Sequence, residues 1–425
     1  MSNAAVNAEE FFEEYLECAV FFAPASGPRS LVTLGFDRRL KHLVQSDALT
    51  SKKWLVGSST GALRFAALLG SLVTGENLTR ELKNQYCRMH YKDGVSSGEE
   101  HRVVGCHANG AIPFSPCRKD TPATLAPMMR RMYNICAPAS HLDEILAHPH
   151  ARLAFIVSRV KSPFDRLPDW QLRIVFAIFA FFSLFFNVAP LLLSRIVFYS
   201  GDEVPKFLEN GVGGSGNVEF VSLVKDNIYE VLHATTCVPF IQERCEYITG
   251  IGPGLFIDGA MTDYQLNTKM PSTLPSLLLS DMDHPAVYQT ALDALIGLRS
   301  APSALFEHAS YVHADPSFSA SLPEKKAPSM CDFFARDYID DPGRRRRNWN
   351  AAFALSERAF PSCLWSALCH TDQGTRVDTD AVGLRTKAHG LPLYAEPTSG
   401  GIGLAAIWGW ALRRARHAKA SLALP

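Results

Sequence analysis

The sequence predicts an α/β fold on a mostly parallel central sheet. Three observations predict it. Short apolar runs alternate with helical patterns through the first quarter of the chain, the spacing expected of βαβ units. The strongest chemical motif lies where a strand would turn into a helix. No repeat of about 20–50 residues is visible, which sets solenoids and propellers aside. At 425 residues, the chain accommodates one large domain with an appendage, or two domains. The pattern divides it into a body over 19–300 and an extension over 301–425 of unassigned role.

In chain order, Ala19–Phe22 and Trp54–Val56 read as strands, with helices over Asp37–Leu49 and Ala62–Val73. Residues 140–170 look helical and mixed. Ile174–Leu193 is a long apolar run, and Asn210–Asn217 is a glycine-rich loop. Strand-like segments return at Val218–Val221 and Leu255–Ile257. Ala301–Pro328, rich in Ser, Ala and Pro, reads as an excursion before a mainly helical tail from about 331.

Composition excludes several classes. Lys+Arg and Asp+Glu are both 42, so there is no basic excess to displace counterions, and nucleic acid is not an expected partner. A hydrophobic content of 47% argues against overall disorder. Only one stretch is apolar and long enough to span a bilayer, which excludes a polytopic transporter. The acidic start (Glu9, Glu10, Glu13, Glu14, Glu17) lacks a basic region, so a cleaved signal peptide is not expected. The ten cysteines are dispersed without a C-x-x-C pair and read as reduced core residues of a cytoplasmic protein. Cys106-His107 and Cys369-His370 lack zinc-ligand spacing and read as structural.

The chemistry centres on Trp54-Leu-Val-Gly57-Ser58-Ser59-Thr60-Gly61-Ala62, an apolar strand, Gly-x-Ser-x-Gly, then an apolar helix. So tight a turn forces the central Ser into a strained conformation. Side chains at Gly57 and Gly61 would collide with the neighbouring strand and helix. The Ser59 hydroxyl is thereby projected at the carboxyl end of a strand, where the helix amino end favours a developing oxyanion. The alternative is a Ser/Gly-rich turn that binds phosphate or nothing.

A nucleophilic Ser needs a base. An α/β-hydrolase triad would draw on a downstream histidine, and His284, His308, His313, His370 and His389 are available without distinctive context. A stronger candidate is Gly254-Leu-Phe-Ile-Asp258-Gly259-Ala260, where an apolar strand ends in Asp-Gly and Gly259 frees the backbone to turn.

Gly57-Ser-Ser59-Thr-Gly61-Ala followed by Asp258-Gly259-Ala260, with His233-Ala-Thr-Thr-Cys237-Val-Pro239-Phe240 just ahead of the Asp, resembles the patatin-like phospholipases over roughly residues 19 to 270. The resemblance implies a three-layer patatin-like sandwich. It implies a dyad with Ser59 as nucleophile and Asp258 as general base, and no histidine, metal or other cofactor. The family's Gly-Gly-Gly-x-Arg/Lys-Gly oxyanion loop matches Ala25-Ser26-Gly27-Pro28-Arg29-Ser30. Gly27 and Arg29 fit, while Ala25, Ser26 and Ser30 replace glycines. The implied activity is hydrolysis of carboxylic esters of membrane lipids. A catalytically weak, membrane-associated scaffold is the alternative that the altered loop leaves open.

The Ile174–Leu193 run carries no charge and is flanked by Arg173 and Arg195. By length it qualifies as a membrane span. A single span would place Ser59 and Asp258 on opposite sides of the bilayer. The dyad therefore requires the run to dip into one leaflet, lie at the interface as a lid, or pack inside, with Asn187 and Pro190 supplying a break. Gly400–Lys419, apolar then basic, suits an interfacial helix or an ordinary terminal one. Arg344–Arg347 reads as a helix start paired with its own acids, or as a headgroup patch.

Overall fold

In the computed structural model, the described residues are 18–45, 52–88, 121–183, 188–209, 218–265, 268–280, 287–296, 309–314, 316–333, 335–359 and 365–368. Gly400–Lys419, Asn210–Asn217, both Cys-His pairs, and His284, His308, His370 and His389 lie outside them.

The expected α/β class holds. Among the described residues, ten strands form one sheet: β1 (Val20–Ala23), β2 (Lys53–Ser58), β3 (Ala151–Val160), β4 (Leu193–Tyr199), β5 (Glu219–Ser222), β6 (Cys245–Ile248), β7 (Gly252–Ile257), β8 (Ser276–Leu279), β9 (Ala309–Ala314) and β10 (Trp365–Leu368). The main path runs β10-β9-β8-β1-β2-β3-β4-β5. It is parallel from β9 through β3 and between β4 and β5, and antiparallel at β10–β9 and β3–β4. β7 joins β3 antiparallel and carries β6 beside it.

Strand alternation divides the core between the two sheet faces. Phe21, Leu55, Leu153 and Phe155 face one way, into a large cluster. That cluster is completed by α1 (Ser30–Gln45), α2 (Thr60–Thr74), α3 (Leu78–Arg88), α4 (Thr121–Cys136), α6 (Ile228–Thr236) and α7 (Pro342–Ala359). Val20, Phe22, Trp54, Val56 and Ile156 face the other way, against Leu208, Met270 and Val287. The remaining helix that concerns the site, α5 (Asp169–Phe182), rests on a third, smaller cluster at the β3–β7 junction.

Three expectations need correction. Residues 140–170, expected to be helical and mixed, are mixed, but their main element is β3, the strand that β2, β4 and β7 all pair with. Its Leu153–Val157 run is buried on both faces, where periodicity cannot separate a strand from a buried helix. The Ile174–Leu193 run is not one helix. α5 ends at Phe182, Ala189–Leu192 forms a single turn, and Leu193 opens β4. No described helix is long and apolar enough to cross a membrane. The first helix begins at Ser30 rather than near Asp37. Gly35 obscures its start, and is required there because a Cβ would lie 2.3 Å from the Ser356 carbonyl oxygen of α7.

That contact also places the segment beyond residue 300. β9 extends the sheet beside β8, the Gly35 amide donates to Ser356 Oγ (2.9 Å), and Trp349 is fully buried. Residues 309–359 are therefore part of the body. At the start of α7, Arg344 pairs with Glu324 (2.6 Å) and Arg347 with Asp341 (3.3 Å), while Arg345 is buried over the Phe333 and Trp349 rings.

Candidate active site

β2 ends in the tight turn that its glycines predict. Ser59 has φ +51° and ψ −122°, a sparsely populated conformation that costs a non-glycine residue roughly 1–3 kcal/mol. A Cβ on Gly57 would lie 2.6 Å from the Ala62 nitrogen, and one on Gly61 would lie 2.1 Å from the Ala23 carbonyl oxygen. Both glycines are steric requirements of the turn. The Ser59 amide donates to Thr235 Oγ1 at 2.9 Å, and the Thr235 hydroxyl donates to the Ile156 carbonyl at 2.6 Å. Thr235, buried at the end of α6, thereby ties the strained residue to β3.

The register along β3 explains why Asp258 meets Ser59. β2 runs parallel to β3 and ends with Ser58 opposite Ile156. β7 runs antiparallel to β3 and ends with Ile257 opposite Ser158. β4 occupies the other edge of β3 over this stretch, so β2 and β7 share one edge and point at each other across Val157. The next residue of each strand enters the gap. Ser59 Oγ donates to Asp258 Oδ2 at 2.7 Å, although the two are 199 positions apart in the chain. Gly259 is needed in the same gap, since a Cβ would lie 2.2 Å from the Ile156 carbonyl oxygen and 2.5 Å from Ser58 Oγ.

Asp258 is firmly placed. Its amide donates to the Cys237 carbonyl (2.9 Å), and its Oδ1 accepts from the Ala260 amide (2.8 Å). Burial pushes the carboxyl up to about 7, against the lowering effect of the Ala260 amide and the Ser59 hydroxyl. A base of that strength matches a proton transfer run near neutral pH.

The Pro24–Arg29 loop leaves the carboxyl end of β1, whose Ala23 pairs with Gly57, and so emerges beside the Ser59 turn. Its amides are not equivalent. Ala25 donates to the Tyr264 carbonyl (2.7 Å), Ser26 to Pro24 (3.0 Å) and Arg29 to Ser26 (3.1 Å), while Pro28 has no N–H. The Arg29 amide, expected as part of the oxyanion loop, is thus committed to closing a turn. Gly27, at φ +52°, keeps an amide without an acceptor among the described residues. At the start of α2 the first bond runs from Ala62 to the Ser59 carbonyl, and the Thr60 and Gly61 amides have no acceptor among the described residues, as at helix starts generally. Among the described residues, the amides of Gly27, Thr60 and Gly61 are thus the ones around the turn without an acceptor.

No described histidine bonds to Ser59 or Asp258. His233 meets the Glu243 carbonyl at 3.1 Å. His148 and His150 lie together at the opposite end of β3. His313 falls within β9, but its side chain is outside the described set. Among the described residues, no group of three or more His, Cys, Asp and Glu is placed to hold a metal ion.

Two supporting residues escaped the sequence reading. Thr235 lies inside the His233–Phe240 motif but looks like an ordinary helix position. Arg64, on α2, is fully buried and bonds Asp37 Oδ1 (2.6 Å), Asp37 Oδ2 (2.9 Å) and the Thr33 carbonyl (3.3 Å) of α1. Burial raises the Asp37 carboxyl more than Arg64 lowers it. This pair fixes the helix after the Gly27 loop to the helix after Ser59. An isolated Arg in an apolar helix was the one available signal for it.

No protein-family model matches the chain, and no curated protein matches it.

Proposed function

We propose that this chain is a serine acyl hydrolase of patatin-like type, with the three-layer architecture that implies, cleaving carboxylic esters of membrane lipids. The observation that carries the proposal is the 2.7 Å hydrogen bond from Ser59, held at a strained turn, to the buried Asp258. Asp258 accepts the Ser59 proton as Oγ attacks the ester carbonyl. The oxyanion is held by the open amides of Gly27, Thr60 and Gly61. Collapse expels the alcohol, which takes the proton from Asp258, and leaves an acyl-enzyme. Asp258 then deprotonates water, which attacks the acyl carbonyl. Release of the fatty acid returns the proton to Ser59.

Lipid as the substrate class is supported by the apolar surroundings. Ile257 and Met261 on either side of Asp258, with Phe240, pack under the apolar helix α5. A peripheral location on the cytoplasmic side of a membrane is part of the proposal, supported by the six described cysteines, all free thiols. The replaced glycines and the committed Arg29 amide favour a second possibility, a weak or silent lipid-binding scaffold. Assay against a nitrophenyl ester and a phospholipid decides between them. The hydrolase releases fatty acid and Ser59→Ala abolishes release, whereas the scaffold gives no release from either substrate.

A further inference from the structure

α5 has two apolar faces. Leu172 and Phe176 pack inward on Val160, Leu255 and Ile257. Trp170, Ile174, Ile178 and Phe181 recur at helical spacing on the outer face, within an arc of roughly 80° at about 100° per residue, and Phe182 lies beside them. These five side chains are 45–62% exposed, and Leu191 on the neighbouring turn is 68% exposed. A helix apolar on all sides belongs inside a core or a membrane, and a row of large exposed apolar side chains marks an interaction site.

We propose that this face docks the protein on an anionic lipid bilayer. The proposal extends the lipid-ester reading and gives that site its partner surface. Charge complementarity favours a bilayer over other occupants. Of the cations in the segment 161–191, Lys161, Arg166 and Arg173 form no ion pair among the described residues. Lys161 donates to the Pro190 carbonyl beside Leu191, and Arg173 stands 4.9 Å over the Phe240 ring. Of the two acids in the segment, Asp169 is matched by Arg244 at 3.1 Å, leaving Asp165 against three cations. An apolar ridge with Trp at one end, in a segment where cations outnumber unmatched acids, is the composition of an interfacial helix.

Position gives the second reason. The inward face of α5 shares one cluster with Ile257 and Met261, so Asp258 is bracketed by residues of the cluster under the helix. A bilayer on the outer face lies about one helix diameter, roughly 10 Å, from that cluster. The stripe thus delivers the dyad to a lipid surface without a membrane span, and Ser59 and Asp258 stay on one side.

The test is flotation of the full chain carrying Ser59→Ala, so that lipid is not consumed, with phosphatidylcholine vesicles alone or containing about one third phosphatidylserine. Binding should require the anionic lipid and weaken with salt. Trp170→Ser, Phe181→Ser and Phe182→Ser together should lower vesicle partitioning about 100-fold. The same triple change with Ser59 intact should leave soluble-ester hydrolysis and the melting temperature unchanged. Equal flotation of the triple variant overturns the proposal. A wild-type dimer that becomes a monomer in the triple variant, with no flotation of either, overturns it in favour of a second copy. Flotation without ester hydrolysis by the wild type removes the hydrolase and keeps the docking face, whereas hydrolysis without flotation does the reverse.

Discussion

Ser58 and Ile257 stand opposite Ile156 and Ser158 of the same strand, the last residues of two strands that run toward each other along one edge of β3. The hydrogen bond between Ser59 and Asp258 follows from that register. A turn that must go left-handed at residue 59 and an Asp-Gly turn at 258–259 open into one gap, and the side chains inside it meet at 2.7 Å.

Hydrolysis should depend on the ionised carboxylate of Asp258. With its carboxyl at about 7, kcat/KM for a soluble ester should fall as pH drops below about 7. Stability should move the opposite way. The folded state holds this proton more tightly than the unfolded chain, so stability is lost as pH rises from about 4 to about 7 and stays lost above that. Over that window the wild type should lose on the order of 4 kcal/mol relative to Asp258→Asn. Denaturant titrations of both proteins at pH 4 and pH 8 measure the difference.

Thr235→Val keeps the volume but removes the acceptor for the Ser59 amide and the donor to the Ile156 carbonyl. Two buried polar groups are left unpaired, at about 1–3 kcal/mol each. The kcat should fall about 10- to 100-fold as the nucleophile loses its geometry. Thr235→Ser should restore most of both, because the hydroxyl is what matters. Failure of Ser to rescue would assign the loss to packing.

Gly27→Ala combines a left-handed φ with a Cβ 3.0 Å from Met330 Sδ. The flexible thioether can yield, so the protein should fold. A displaced Gly27 amide should lower kcat about 10²–10³-fold with KM little changed. Gly61→Ala differs in kind, since its Cβ would meet the Ala23 backbone at 2.1 Å, and it should give little folded protein. Steady-state kinetics of the first and soluble yield of the second check the contrast.

Arg64→Met leaves the buried Asp37 carboxylate without its partner and should destabilise by about 3–5 kcal/mol in denaturant titration. Replacing both residues, Arg64→Met with Asp37→Leu, should recover much of that loss, because no charge then remains in the core.

Ser59 and Asp258 were legible because glycines punctuate both turns: Gly57 excludes a Cβ against Ala62 a few residues on, while Gly61 and Gly259 exclude one against the distant Ala23, Ile156 and Ser58, so their presence was readable and their reason was not. The parallel β1–β2 pair was legible from its alternation of apolar runs and helices. What escaped depends on distant contacts. β3 looks helical because a strand buried on both faces has no alternation to show. The start of α1 is masked by Gly35, whose reason is Ser356, 321 positions away. Thr235 and Arg64 are ordinary helix residues until the fold brings Ser59 and Asp37 to them. The apolar run looked long enough to span because hydropathy does not register that Leu193 opens a strand of the main sheet.

The most direct test of the Ser59–Asp258 dyad is reaction of the purified chain with a fluorophosphonate, followed by mass analysis of the peptide containing residue 59. The dyad predicts a single adduct on Ser59, absent in Ser59→Ala and formed far more slowly in Asp258→Asn. A wild-type protein that stays unlabelled, or a label that persists in Ser59→Ala, would contradict it.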